Sequence, residues 1–304
     1  ILRIPIDSAT MPNSYVQKCA NFGNGDLLYY WNYPSHEILI FDLNSTSLRH
    51  RISLQKEGPD AIENVVGFTI LSQEEIIVAD RYPKLHLINI HGETIRKIDY
   101  TIDDGSVNFS KMATISSGSS YQDVYRLGNR LIIPQDPSFR SGEGFVFKDN
   151  ERAKSKLFVE VDLEGQNPHF LDIALPDGFF DGKPPSQPVR LNTAFTGDRI
   201  VWTFNTGMDI YYSSDLDEVE VMKIDLGIKS PNANIDPMTL GPFEANASLD
   251  SYGGLLYDPY RKKYYRMFRY GVEGDARKDL PVEHLASHPN KFSIFVLNED
   301  FEVE

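Results

Sequence analysis

Short apolar runs joined by tight turns recur along this chain and constrain its fold more than any other feature. One instance reads Glu75-Ile76-Ile77-Val78-Ala79-Asp80, then Leu85-His86-Leu87-Ile88-Asn89-Ile90, then the turn His91-Gly92-Glu93, then Thr94-Ile95-Arg96-Lys97-Ile98-Asp99. Alternation with a period of two argues strand rather than helix. Enrichment in Val, Ile, Tyr, Phe and Thr agrees. Hairpin after hairpin at a regular spacing is the pattern of an all-β chain of repeated four-stranded antiparallel units, the blades of a β-propeller.

Five such units can be marked out. The first takes Gln17–Phe22, Asp26–Asn32, Glu37–Asp42 and Leu48–Leu54; the second runs from near Val65 to near Tyr100. The third takes Val124–Leu127, Arg130–Pro134, Lys156–Asp162 and His169–Leu175. In it, Leu157, Val159 and Val161 are expected on one face, with Phe158 and Asp162 on the other. The fourth takes Leu191–Phe195, Arg199–Asn205, Met208–Ser213 and Val219–Ile224. The fifth takes Gly253–Tyr257, Tyr264–Tyr270 and Phe292–Leu297, and begins an outer strand at Phe301. Ile1–Ile6 reads as a spare strand at the other end. The expectation is a single propeller domain over residues 1–304, six-bladed, with its last blade lying mostly beyond Glu304. A five-bladed ring closed by Ile1–Ile6 beside Phe301–Val303, or a ring of seven, are the alternatives.

Composition removes several function classes. The 304 residues are 41% hydrophobic and 24% charged, ample for a sizeable core. Lys plus Arg total 30 and Asp plus Glu 44, so the net charge is 30 − 44 = −14. A nucleic-acid binder needs a basic footprint, and no Lys/Arg cluster supplies one. Cys19 is the only cysteine, which excludes an internal disulfide and a Cys-based metal site; it reads as a small buried apolar residue. No apolar run approaches the roughly 18 residues of a membrane span. The chain opens on Ile1 with no charged-then-apolar leader, so a membrane enters the reading only through a lipid anchor outside this sequence.

Link lengths point to a working face. In a four-stranded blade the first-to-second and third-to-fourth turns share one face, and here they are short: Gly23–Gly25, Ser72-Gln73, Gly128-Asn129, Glu164-Gly165, Gly197-Asp198. The connections on the opposite face include Asp103–Ser120, Asp136–Ala153, Pro176–Pro188, Gly227–Asp250 and Gly271–Asn290. Long loops on a rigid scaffold are where binding concentrates. The second-to-third links on that face carry Trp31, Tyr33, His36, Asp80, Arg81, Tyr82, Asp136, Asn205, Arg269 and Tyr270. Aromatic rings beside Asp, Arg and Asn suit a sugar or small polar ligand. Arg81 and Arg269 would grip an anionic or hydroxyl-rich group, and Trp31 and Tyr82 would offer a flat surface. The competing account is that these aromatics pack between blades and the Asp–Arg pairs brace loops.

Catalytic signals are weak. The seven histidines include no His-Glu-x-x-His, no Gly-x-Ser-x-Gly elbow occurs, and no Gly-rich phosphate loop is found. Asp80 and Asp136 would make a glycosidase pair only at a separation of about 5–9 Å. Asp177–Gly182 and Asp215–Glu218 lack the spacing of a calcium loop. No cofactor is expected, a calcium ion in the channel being the one allowance.

Ile52-Ser53-Leu54-Gln55-Lys56-Glu57-Gly58-Pro59, with Ile76–Asp80 and Leu87–Glu93 behind it, resembles the TolB-like and NHL-like six-bladed propellers. Tyr252-Gly253-Gly254-Leu255-Leu256-Tyr257-Asp258-Pro259-Tyr260-Arg261-Lys262-Lys263-Tyr264-Tyr265-Arg266 is similar to a late blade of the Bacteroidetes propeller family numbered 4221 among domains of unknown function. That resemblance implies export to the periplasm or cell surface, with a lipid anchor in the full-length protein. It carries over no catalytic residue. The expectation is a cell-envelope propeller binding a small polar ligand, a carbohydrate or an envelope protein on its long-link face. A hydrolase or lyase acting on a carbohydrate or small lactone at the channel mouth is the alternative.

Overall fold

The computed structural model describes residues 3–11, 16–23, 25–80, 84–102, 123–135, 156–165, 167–176, 179, 189–225, 247–272, 281 and 291–304. Blade one holds β1 (Gln17–Asn21), β2 (Asp26–Asn32), β3 (Glu37–Asp42) and β4 (Ser47–Ser53). Blade two holds β5 (Gly67–Ile70), β6 (Glu75–Ala79), β7 (Lys84–Asn89) and β8 (Thr94–Asp99). Blade three holds β9 (Tyr125–Leu127), β10 (Arg130–Pro134), β11 (Phe158–Asp162) and β12 (His169–Phe170). Blade four holds β13 (Leu191–Phe195), β14 (Ile200–Phe204), β15 (Ile210–Ser213) and β16 (Glu220–Met222). Blade five holds β17 (Ser251–Asp258), β18 (Lys263–Arg269) and β19 (Phe292–Leu297). Each sheet is antiparallel and meanders in sequence order, as an all-β propeller requires. The outer position of blade five is taken by Val303, bridged to Leu297, with the Glu304 amide donating to the Val296 carbonyl at 3.0 Å.

Five blades are described, so the sequence-based expectation of six stays unconfirmed and the five-unit count is what the sheets display. The spare N-terminal strand is a correction. Residues 3–7 form no strand. They lead instead across blade one. Asp7 pairs with Arg51 at 2.6 Å, the Asn32 amide donates to the Ala9 carbonyl at 3.0 Å, and the Met11 amide donates to Asn32 Oδ1 at 2.9 Å. Asn32, Tyr30 and Arg51 share one face by register, so the segment covers the face of blade one that points away from blade two. The backbone groups of Ala9 and Met11 bond to the side chains of Asp7 and Asn32 in place of a ladder.

Packing explains why the middle strands read as near-continuous apolar runs. A blade has neighbours on both faces, so both parities are buried. In β6, Ile76, Ile77, Val78 and Ala79 are all within 2% of full burial. They divide by parity: Ile76 and Val78 join the core shared with blade one, and Ile77 and Ala79 the core shared with blade three. The described residues form four such cores, at the junctions one–two, two–three, three–four and four–five. Outer strands instead alternate or stay exposed, as in Glu220–Met222. Leu157 departs from the alternation expected for it and packs with Phe158 between blades three and four. The ladder slips by one residue between the Val159–Phe170 and Lys156–Ala174 pairs, which turns Leu157 to the other side.

The innermost strands are tied to one another near the axis. Lys18 of β1 pairs with Asp123, ahead of β9, reaching past blade two. Thr69 of β5 accepts from the Val124 amide at 3.2 Å, and Tyr125 of β9 donates to Thr193 Oγ1 of β13 at 2.6 Å. Cys19 is exposed, not buried, because β1 shows it on the same far face as Leu28.

Two outcomes follow from this packing. Gly92 sits at φ +81, and a Cβ added there would run into the Ser53 carbonyl of blade one. Gly92→Ala is expected to lower stability in urea melts by about 1–3 kcal/mol, through a left-handed backbone and a forced separation of two blades. Asn32 is fully buried and makes three side-chain hydrogen bonds, to Ala9, Met11 and Ser35. Asn32→Ala is expected to cost about 1–3 kcal/mol in the same assay, whereas removing residues 1–6 should change it by less than about 0.5 kcal/mol. A large loss on the deletion alone would restore a closing role to that strand.

Candidate functional site

Because the second strand of each blade runs toward the same face, the second-to-third links gather there. The described members of the sequence-based site lie at these link ends, but they divide into two groups. Arg81, Tyr82 and Asp136 lie outside the described residues, as do most of the long links.

The first group sits between blades one and two. Trp31 is 4% exposed and its ring meets the His36 ring edge-on, with centroids 5.0 Å apart. His36 occupies left-handed backbone at φ 61, closing the Tyr33–His36 turn with its amide on the Asn32 carbonyl at 3.0 Å. Its Nε2 reaches the Ile62 carbonyl at 2.7 Å in the link to blade two. Asp80 Oδ1 accepts the Asn64 amide of that link at 2.9 Å. His86 Nε2 lies 3.8 Å from Asp80 Oδ2, and among the described residues neither His86 ring nitrogen has a hydrogen-bond partner. Burial pushes both imidazoles below the ordinary histidine range, the Asp80 charge opposing it in each case. Tyr33 alone in this group is widely open, at 73% exposure. Trp31 and His36 thus turn their rings into the junction core, which ties down the 54–66 link.

The second group gathers at the long-link ends of blades four and five, with Arg269 leaving β18 on the face turned away from blade four. Asn205 closes β14 by accepting the Arg190 amide on Oδ1 at 2.7 Å, and its carbonyl takes the Tyr252 amide at 2.9 Å. That single residue therefore joins the inner strands of two blades. Arg269 ends β18. Burial depresses its guanidinium pKa, and the Arg190 charge adds to the depression, which places two like charges at this end. Tyr270 follows, with Lys291 Nζ 4.2 Å from its ring centroid and its hydroxyl 3.1 Å from Ser293 Oγ. Asp250 Oδ1 accepts the Gly271 amide at 2.8 Å.

Below this end lies Arg266, which sequence reasoning passed over. It is completely buried in β18, donating to the carbonyls of Met208, Phe204 (3.2 Å) and Gly207 (2.6 Å), with the Tyr252 ring 4.2 Å away. Burial brings its pKa down to about 10. A signal existed: Arg266 shares the parity of Tyr264 and Phe268, both inward, so the alternation itself places a charge in the core. Arg190 carried no such signal, because it precedes its strand.

Among the described residues no cluster of three or more His, Cys, Asp or Glu could hold a metal ion, and no helix is long and apolar enough to cross a membrane. What the arrangement offers chemically at the second group is polar grip by guanidinium, amide and aromatic groups.

A comparison with curated proteins returned no match. Among solved structures, the chain is similar to a DUF4221 family member from Bacteroides vulgatus ATCC 8482, with 21% identity, a TM-score of 0.78, and coverage of 99% of this chain and 82% of that one. It is also similar to a candidate exported protein from Bacteroides fragilis NCTC 9343, with 10% identity, a TM-score of 0.56, and coverage of 99% and 73%. At such identities these likenesses establish the fold alone. The family model for the domain of unknown function DUF4221 matches residues 2–303, nearly the whole run of blades just described, and the chain belongs to that family.

Proposed function

We propose that this protein is an exported propeller of the cell envelope that binds an acidic carbohydrate, or a similar small polar ligand, on its long-link face. The observation that carries this reading is the set of basic and aromatic side chains at the end of blades four and five, with Asp250 beside them. Arg190, Arg269 and Lys291 gather there beside Asn205 and Tyr270, on a chain of net charge −14. Guanidinium forks favour planar carboxylates, and a tyrosine ring offers a sugar face a stacking surface. Arg81, Tyr82 and Asp136, outside the described residues, belong to the proposal on their place in the sequence alone. Likeness to a candidate exported protein supports export, and a lipid anchor in the full-length protein belongs to the same reading. The ring is proposed to be six-bladed. Blade five leaves Leu256, Phe292 and Ile294 about half exposed, on a sheet face that in the other junctions meets a further blade.

Binding is favoured over hydrolysis or lysis because Asp80 is held by the Asn64 amide and faces His86, an arrangement that ties down a link. A screen of acidic against neutral oligosaccharides by calorimetry tests the reading. Arg269→Ala should weaken an acidic hit by about 1.5–3 kcal/mol. Hits indifferent to charge and to Arg269, or hits that map to the short-turn face, would end it.

The buried histidines carry a separate expectation. Their folded pKa values are lowered, so the unfolded chain binds more protons below about pH 6.5. Stability should be full above that pH and fall as the pH drops from there toward the lowered folded values. His86→Leu should flatten this part of the profile in urea melts followed from pH 7.5 to 5. An unchanged slope would mean that His86 is solvated in the native state.

A further inference from the structure

The junction between blades four and five holds an unusual set of buried polar atoms. Among the described residues, Arg266 Nε, Asn192 Nδ2, Thr203 Oγ1 and Tyr252 Oη have no hydrogen-bond partner. Their residues are 0%, 3%, 0% and 1% exposed. Orphaned buried groups of this kind are uncommon, and each asks for an occupant.

Register places them in the same junction. Asn192 of β13 and Thr203 of β14 are cross-strand partners. They share the parity of Ala194 and Val201, whose side chains enter the core with blade five. Arg266 shares the parity of Tyr264, which enters that core from the other side. Its guanidinium reaches the Phe204 carbonyl, one residue beyond Thr203. Tyr252 donates its amide to the Asn205 carbonyl and lies beneath the guanidinium.

The charge decides what the occupant is. A buried guanidinium costs several kcal/mol unless something opposite in sign lies beside it. Three carbonyls satisfy part of its fork but bring no net charge. Asp209 acts on Arg266 from a distance, yet its carboxylate is bound to Lys223 at 2.6 Å. Among the described residues no carboxylate comes within ion-pair range of Arg266. The depressed guanidinium pKa agrees with a charge left uncompensated. All four orphaned groups are able to donate: an Nε–H, an amide NH₂ and two hydroxyls. Water would answer those donors and leave the charge. We infer that the junction binds a small monovalent anion, of halide or formate size, held by Arg266, Asn192, Thr203 and Tyr252. Gly207 marks the way in from the long-link face: it lies in the link that Arg266 holds, and among the described residues nothing stands within 4 Å of its Cβ position. This site is separate from the carbohydrate site proposed above, because Arg269 leaves β18 on the opposite face from Arg266.

Crystals grown in sodium bromide test the inference directly. An anomalous peak within hydrogen-bond distance of Arg266 Nε and Asn192 Nδ2 is expected. Water bridging the four groups, with no bromide there, would overturn it. In solution, sodium bromide and sodium formate are titrated separately against melting temperature at constant ionic strength, with sodium sulfate, whose anion is larger and divalent, as the balancing salt. A saturable rise of about 3 °C is expected at roughly ten times Kd. The arm that saturates at lower concentration distinguishes halide from carboxylate. The Asn192→Ala, Thr203→Val double variant leaves Arg266 in place and should weaken the anion at least about tenfold, the lower bound for one charge-assisted hydrogen bond. Equal responses in the two proteins, or a bromide peak that persists in the variant, would make the effect one of general salt and overturn the assignment.

Discussion

Each sheet in this molecule has two faces that water would penalise, and the rest of the structure depends on covering both. A four-stranded sheet cannot do this alone, so every blade is completed by its neighbours. That is why the four cores lie between sheets and none lies within one. Fully burying a side chain such as Ile77 or Leu131 contributes about 1.5–3 kcal/mol, and these contributions are shared across junctions. The blades therefore stand or fall as neighbours. The polar ties follow the same logic. His36, Asn205 and Arg266 each connect a link to the adjoining blade, where a backbone leaving its ladder would otherwise be unsatisfied.

Strands were legible in the sequence because packing on both faces writes itself as composition. β2, β3 and β10 begin and end where alternation and turn residues place them. The N-terminal segment was not legible. Ile1–Ile6 has strand composition, yet the residues that fix its neighbourhood are Asp7 and, twenty or more positions away, Asn32 and Arg51. Such long-range hydrogen bonds leave no periodic trace. Leu157 failed for a related reason: a one-residue slip in the ladder reverses parity without changing composition.

The candidate site was legible by position and not by grouping. Topology alone brings the second-to-third links to one face, so that part could be read without coordinates. Which links share a junction depends on how side chains leave the strands. Trp31 and His36 are absorbed into one core, while Asn205, Arg269 and Tyr270 lie at the strand ends of blades four and five and leave them on different faces. Arg266 shows the limit most clearly. Its parity announces burial, but its three carbonyl acceptors come from a link some sixty residues earlier in the chain.

The placement of the two tryptophans gives the molecule two internal optical reporters. Trp31 belongs to the junction between blades one and two, and Trp202 to the junction between three and four. A series of sheets in which each contacts only its neighbours behaves as a nearly one-dimensional array, loosening from its ends inward. A continuous ring has no ends and melts as a unit. Emission from the two indoles therefore distinguishes these topologies: in an arc, Trp31 meets water before Trp202 does, and in a ring the two changes coincide.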